Sequence, residues 1–170
     1  MKKLLILVVF LSVVVISAFW WWANHPDVES YPASQTVSVY FLDLENFNVG
    51  REPYETAATR NIEATVDPKT AILAELMKGP TSAEQASGLA VEKSAATGLR
   101  LEFNNETGLA RVYLEGGCDS RGSSYTIANL IVKNLRQFPD VKRVYIYDPA
   151  GATLGAGNEP FDLLPACLQP

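Results

Sequence analysis

Leu109-Ala-Arg-Val-Tyr-Leu-Glu115, the glycine-bearing loop Gly116 to Gly122, the stretch Ser124 to Phe138, the pair Pro139-Asp140 and the run Val141 to Tyr147 decide the fold. They read in succession as strand, loop, helix, tight connection and strand. The second helix carries Ile127, Leu130, Ile131, Leu135 and Phe138 at three- and four-residue spacing, and Ser123 or Ser124 is a natural cap. The return strand sets Val144 and Ile146 on one face, Tyr145 and Tyr147 on the other. Such a unit has one apolar face and must be covered by the rest of the chain.

Upstream, Leu99-Arg-Leu-Glu-Phe103 and Leu109 to Leu114 flank Asn104-Asn-Glu-Thr-Gly108, a hairpin signature. Leu99, Leu101 and Phe103 should share a face with Ala110, Val112 and Leu114. Asp67 and Pro68 open a first helix that Gly79-Pro80 closes, with Ala71, Ile72, Leu76 and Met77 as its stripe. Val37 to Leu42 reads as a first strand and Thr56 to Val66 as a second. Asp43 to Tyr54 reads as a polar loop, and Thr81 to Gly98 as a long irregular excursion with one helical turn near Ala83 to Ala86. The expectation is an α+β domain: a mixed sheet with two helices packed on one face, in the order β-β-α-β-β-α-β.

The chain has 170 residues, with 14 basic residues against 19 acidic ones, and Lys2 and Lys3 precede the apolar front. An acidic body without basic runs is a poor partner for nucleic acid, so none is expected. Leu4 to Trp22 holds no charge, and as a helix it would span about 28 Å, near the thickness of a bilayer's hydrocarbon. Trp20, Trp21 and Trp22 sit where the chain would leave the lipid, and Lys2 and Lys3 would stay inside. Residues 1–23 therefore read as a signal anchor placing the rest outside the cytoplasmic membrane, with a cleaved signal peptide and a secreted product as the alternative. Residues 24–36 read as a linker, 37–150 as the domain and 151–170 as a tail, held by burial of Phe161 and Leu164 or by a cysteine bridge.

Cys118 and Cys167 are the two cysteines, and an oxidising compartment permits a disulfide between them. A metal site or catalytic thiol is the sharper alternative, but the one histidine, His25, lies in the linker. The loop Gly116-Gly-Cys-Asp-Ser-Arg-Gly122 fits no nucleotide-binding fingerprint. Asp43, Glu45, Glu102 and Glu106 are scattered acids. No catalytic constellation emerges, so neither enzyme activity, metal nor cofactor is expected.

Leu76-Met-Lys-Gly-Pro-Thr-Ser82, the hairpin ending in Val112-Tyr-Leu114, Gly116-Gly-Cys118 and Gln137-Phe-Pro-Asp-Val-Lys-Arg-Val144 together resemble the GerMN domain of sporulation and spore-germination proteins. The likeness runs over residues 36 to 150. It implies an extracytoplasmic, membrane- or lipid-anchored module with a fold like the ring-building motifs of secretion and sporulation complexes, and it carries over no catalytic residue. Val91 to Thr97 departs from the family in lacking a proline turn, and Asp148-Pro-Ala-Gly151 stands where an Asp-Gly turn is usual. Two functions follow as expectations. One is a non-catalytic envelope interaction module, binding another envelope protein, itself or peptidoglycan through a sheet edge or the Thr81–Gly98 loop. The other is a cell-wall glycan or small-ligand domain accessory to a wall-modifying enzyme, recognising its ligand through Tyr113, Tyr145 and Tyr147.

Overall fold

The computed structural model describes residues 34–155, 157 and 159–170, together with Val15, Ser17 and Trp20. The chain divides into two units, Met1–Tyr31 and Pro32–Pro170. In the first, the three described positions are helical. Apart from Val15, Ser17 and Trp20, the anchor expected over Leu4 to Trp22 lies outside the described residues, as do His25 and most of the linker. Among the described residues, no helix is long and apolar enough to cross a membrane.

The second unit is α+β. Its elements run β1 (Ser34–Asp43), α1 (Leu44–Asn48), β2 (Glu55–Glu63), α2 (Pro68–Lys78), α3 (Ser82–Ala86), β3 (Leu89–Ala90), β4 (Ala96–Asn104), β5 (Leu109–Gly116), α4 (Ile127–Arg136) and β6 (Arg143–Tyr147), then a 3-10 turn at Ala166–Leu168. Without the three short elements α1, α3 and β3, this is the expected order. The strands form two sheets of three, ordered β2-β1-β3 and β4-β5-β6. The second is mixed: β4 and β5 are an antiparallel hairpin, β5 and β6 run parallel. Its register pairs Leu99 with Leu114, Leu101 with Val112 and Phe103 with Ala110, as the alternation requires.

The sheets remain separate because β1 gives to a helix the part of its second edge that precedes its pairing with β3. Asp43 donates its backbone N–H to Tyr54 at 2.7 Å. Alternation then turns the backbone of Tyr40 away from β2. There Tyr40 N–H donates to Asn134 Oδ1 at 2.8 Å, and Asn134 Nδ2 donates back to Tyr40 O at 2.9 Å. Gln137 Nε2 adds a bond to Ser38 O at 3.0 Å. Between them, Asn134 and Gln137 occupy the edge another strand would take.

Helices α2 and α4 touch each other and strands of both sheets. They share one core with Val39, Phe41, Val112, Leu114, Val144 and Ile146, all nearly inaccessible. Helix α2 starts where the sequence places it, with the Asp67 carboxylate accepting from Thr70 N–H at 2.9 Å and Gly79 ending it. Helix α4 starts later than expected. Thr126 is its cap, closing a capping box with Asn129, while the Ser123 hydroxyl bonds the Tyr125 main chain instead. Within Asp43 to Tyr54, read as a polar loop, α1 forms because Asp43 caps it, accepting from Asn46 N–H at 3.1 Å. α3 forms in the same way on Thr81, whose capping box closes with Glu84.

The C-terminal segment belongs to the same body. Leu163 and Tyr145 form a parallel bridge beside β6, and Leu163 and Leu168 are buried. Of the two residues expected to tie the tail down, Phe161 is 59% exposed and Leu164 packs half-buried against the core; Leu163 is buried as well, and the cysteine bridge expected as the other tie is present.

Candidate functional site

Three features of the folded unit face solvent with chemistry to offer: the strand edge of β2, the outer face of β4-β5-β6, and a groove beside α4. Among the described residues, β2 pairs with β1 alone. The alternation fixed by the Asp43–Tyr54 bond points the backbone groups of Glu55, Ala57, Thr59 and Asn61 away from β1. The carbonyl of Thr59 takes a bond from Arg60 Nη1 at 3.0 Å. From Thr56 to Thr59 the edge holds neither charge nor proline, the residues that commonly protect a free edge. Arg60, the charge that follows, is turned inward. Its guanidinium makes two 2.6 Å bonds to the Glu84 carboxylate and lies 5.4 Å from the Phe41 ring centre. That pairing holds the Glu84 carboxyl well below the usual range, at about 2.

The three strand tyrosines do not form one binding face. Tyr113 and Tyr147 stack with ring centres 4.8 Å apart, and the Arg100 guanidinium covers Tyr113 at 4.0 Å. Arg100 and the Tyr113 hydroxyl both reach Glu102. This is a ladder running across β4, β5 and β6, whose ring faces are spent on one another. Tyr145 is fully buried beneath the tail, where its hydroxyl donates to Glu159 O at 2.6 Å. It is therefore withdrawn from any ligand.

Cys118 and Cys167 are joined by a disulfide, their Cα atoms 5.7 Å apart. Ser120 strengthens this clasp: its N–H donates to Cys167 O at 2.9 Å and its hydroxyl to Gln169 O at 2.6 Å. The loop Gly116 to Gly122 is thus a fastening for the tail. It also ends before α4, whose first N–H groups are taken by Thr126 and Ser94. Asp43 is spent on its cap, and Glu102 is on the ladder. No group of three or more His, Cys, Asp or Glu suited to a metal occurs among the described residues.

Sequence reading missed the groove. A cleft of about 500 Å³ is lined by Phe47, Glu52, Tyr54, Tyr125 and their neighbours, and a second of about 450 Å³ by Val132, Arg136, Asp162 and Leu164. Both include Glu55, Asn129 and Lys133, so they form one groove along the flank of α4. Phe47 meets Tyr54 and Tyr125 edge-on, at 5.6 and 5.2 Å between ring centres. The Tyr125 hydroxyl donates to Glu55 Oε1 at 2.9 Å. Burial and that carboxylate push the phenol far above its ordinary value. The aromatics come from α1, the loop after it and the loop before α4, so no periodicity announces them.

An α+β unit with this element order and two helices in one core is the architecture that the resemblance to a GerMN-type domain implies. A family model described as Germane, sporulation and spore germination, matches residues 38–147, and the chain belongs to that family. Among solved structures it is similar to the tandem GerMN domains of the sporulation protein GerM from Bacillus subtilis, with 22% identity and a TM-score of 0.47 over 81% of this chain. The chain spans 45% of that structure's length. No curated protein matches it.

Proposed function

We propose that this sporulation and germination family member is a non-catalytic interaction module, anchored by residues 1–23 and displayed outside the cytoplasmic membrane, that takes up a strand of another envelope protein on its β2 edge. The observation carrying this reading is the open edge itself. Glu55 and Ala57 offer outward backbone groups to water or a further strand, beside the Thr59 carbonyl that Arg60 Nη1 already holds, and the Arg60 charge itself is paired with Glu84. The apolar front with its cytoplasmic lysines and the disulfide both agree with an oxidising, extracytoplasmic setting.

The test is Ala57→Pro in the full-length protein. The Ala57 N–H points away from β1, so proline there removes a donor to an incoming strand and none of the β1–β2 bonds. Wild-type protein cross-linked in intact envelopes should give a discrete complex, of itself or with a second protein, that the variant loses while its circular dichroism is kept. A variant that still forms the same complex would refute edge addition. Protease added to intact cells should remove the domain; protection there with digestion in a lysate would refute the outward display.

A further inference from the structure

We propose that the groove beside α4 is a binding site for a neutral, hydroxyl-rich sugar chain. The wall nearest α1 is aromatic, built from Phe47, Tyr54 and Tyr125 in edge-to-face contact, and Phe47 is 37% exposed. Polar groups of opposite character are set against this wall. Glu52 and Glu55 bring carboxylate acceptors, and Lys133 brings an ammonium donor. Asn129 has its Oδ1 engaged by Thr126 N–H at 2.9 Å, which leaves the amide nitrogen as a donor on the groove wall.

This combination selects among ligand classes. A phosphate or other anion would meet Glu52 and Glu55. A cationic ligand would meet Lys133. An apolar peptide would strand the carboxylates and the ammonium away from water with no partner for their charge. A pyranose ring has what remains: C–H faces to lie against aromatic rings, hydroxyls that donate to carboxylates, and ring and hydroxyl oxygens that accept from Lys133 and Asn129. The two clefts adjoin through Glu55, Asn129 and Lys133, so the site extends along α4 and suits a chain of sugars rather than a single one.

The site meets β2 at Glu55, whose side chain lines the groove, and the experiment keeps the two readings apart through Ala57, which lines neither cleft. Full-length protein in a detergent without a sugar headgroup would be titrated with β-1,4-linked N-acetylglucosamine tetraose and with cellotetraose, followed by calorimetry. Saturable binding of at least one is expected. Phe47→Ala should weaken it about tenfold through loss of one aromatic contact. Glu52→Gln, which leaves the aromatic wall intact, should weaken it too, and Ala57→Pro should bind as wild type. Preference for the N-acetylated chain would identify a wall-type glycan. Equal binding of both would place recognition on the ring hydroxyls. Failure of both sugars to saturate, or binding unchanged in Phe47→Ala and Glu52→Gln, would overturn the proposal.

Discussion

The side-chain amide of Asn134 exchanges two hydrogen bonds with the main chain of Tyr40, at 2.8 and 2.9 Å, as a residue on a neighbouring strand would. A third bond, from Nδ2 to Leu130 O at 2.9 Å, holds the amide against its own helix. Asn134 is fully buried. Asn134→Leu would keep the apolar stripe but leave the Tyr40 N–H and C=O without partners. A loss of about 1–3 kcal/mol in unfolding free energy is expected, because two backbone groups of the half-buried Tyr40 go unsatisfied. Urea denaturation measures it, and a change within error would mean that water replaces the amide.

The same residue shows what the sequence makes legible. The stripe of α4 is readable because five apolar side chains recur at helical spacing. Asn134 falls on that stripe, and a lone amide among leucines and isoleucines is itself a signal that a backbone edge lies opposite. Asn134 and Gln137 together take the β1 edge at Tyr40 and Ser38, a feature that periodicity alone does not show. Ser123, Ser124 and Thr126 are all chemically competent caps, and the cap of α4 falls on Thr126 while the Ser123 hydroxyl is taken up locally by the Tyr125 main chain. The groove was not legible at all. Its aromatics come from separate connections, and what assembles them is the packing of β1, β2 and α4.

Gly108 closes the hairpin with φ at +65°, and its carbonyl accepts from Lys142 N–H at 2.7 Å and Arg143 N–H at 3.2 Å. A Cβ there would stand 2.5 Å from Lys142 Cγ and 2.6 Å from Asp140 O. The lysine can shift, but the carbonyl is backbone in the connection that feeds β6. Gly108→Ala should therefore cost about 2 kcal/mol or more, from the left-handed conformation and the clash together. Its thermal midpoint should fall well below that of Gly122→Ala, where a Cβ meets nothing within 4 Å. Equal midpoints would show that the hairpin end relaxes freely.

Arg60 and Glu84 set a pH dependence. The folded Glu84 carboxyl sits at about 2, chiefly through its hydrogen bonds to Arg60, against 4.5 unperturbed. Its folded value is depressed, so the stabilisation is fully present above about 4.5 and is lost as pH falls toward about 2. Asp140, lowered by Lys69, acts in the same direction. Unfolding free energy should thus decline with acidity in that window, and Glu84→Gln should reduce the slope without removing it. An unchanged slope in Glu84→Gln would show the pair contributing nothing beyond solvent screening.

The disulfide Cys118–Cys167 fixes a tail that is part of the fold, so reducing it should do more than loosen a terminus. It closes a loop of 49 residues in sequence separation, which the chain-entropy relation converts to about 4 kcal/mol. Inside that loop lie Leu163, bridged to Tyr145, and Asp162, whose carboxylate accepts from Val144 N–H at 2.7 Å and Arg136 Nη2 at 2.8 Å. These contacts persist without the bridge, so the reduced protein should stay folded but be less stable by about 3–4 kcal/mol. Hydrogen exchange should rise first at Leu163, whose N–H bonds Val144 O at 3.1 Å, and at Ile146, whose N–H bonds Leu163 O at 2.8 Å. It should leave the β4–β5 hairpin unchanged. Because Asp162 and Leu164 also wall the far end of the groove, Cys118→Ser should open that end and leave the end at Phe47 intact. Uniform exchange over the whole unit on reduction would instead show the tail and the core unfolding as one.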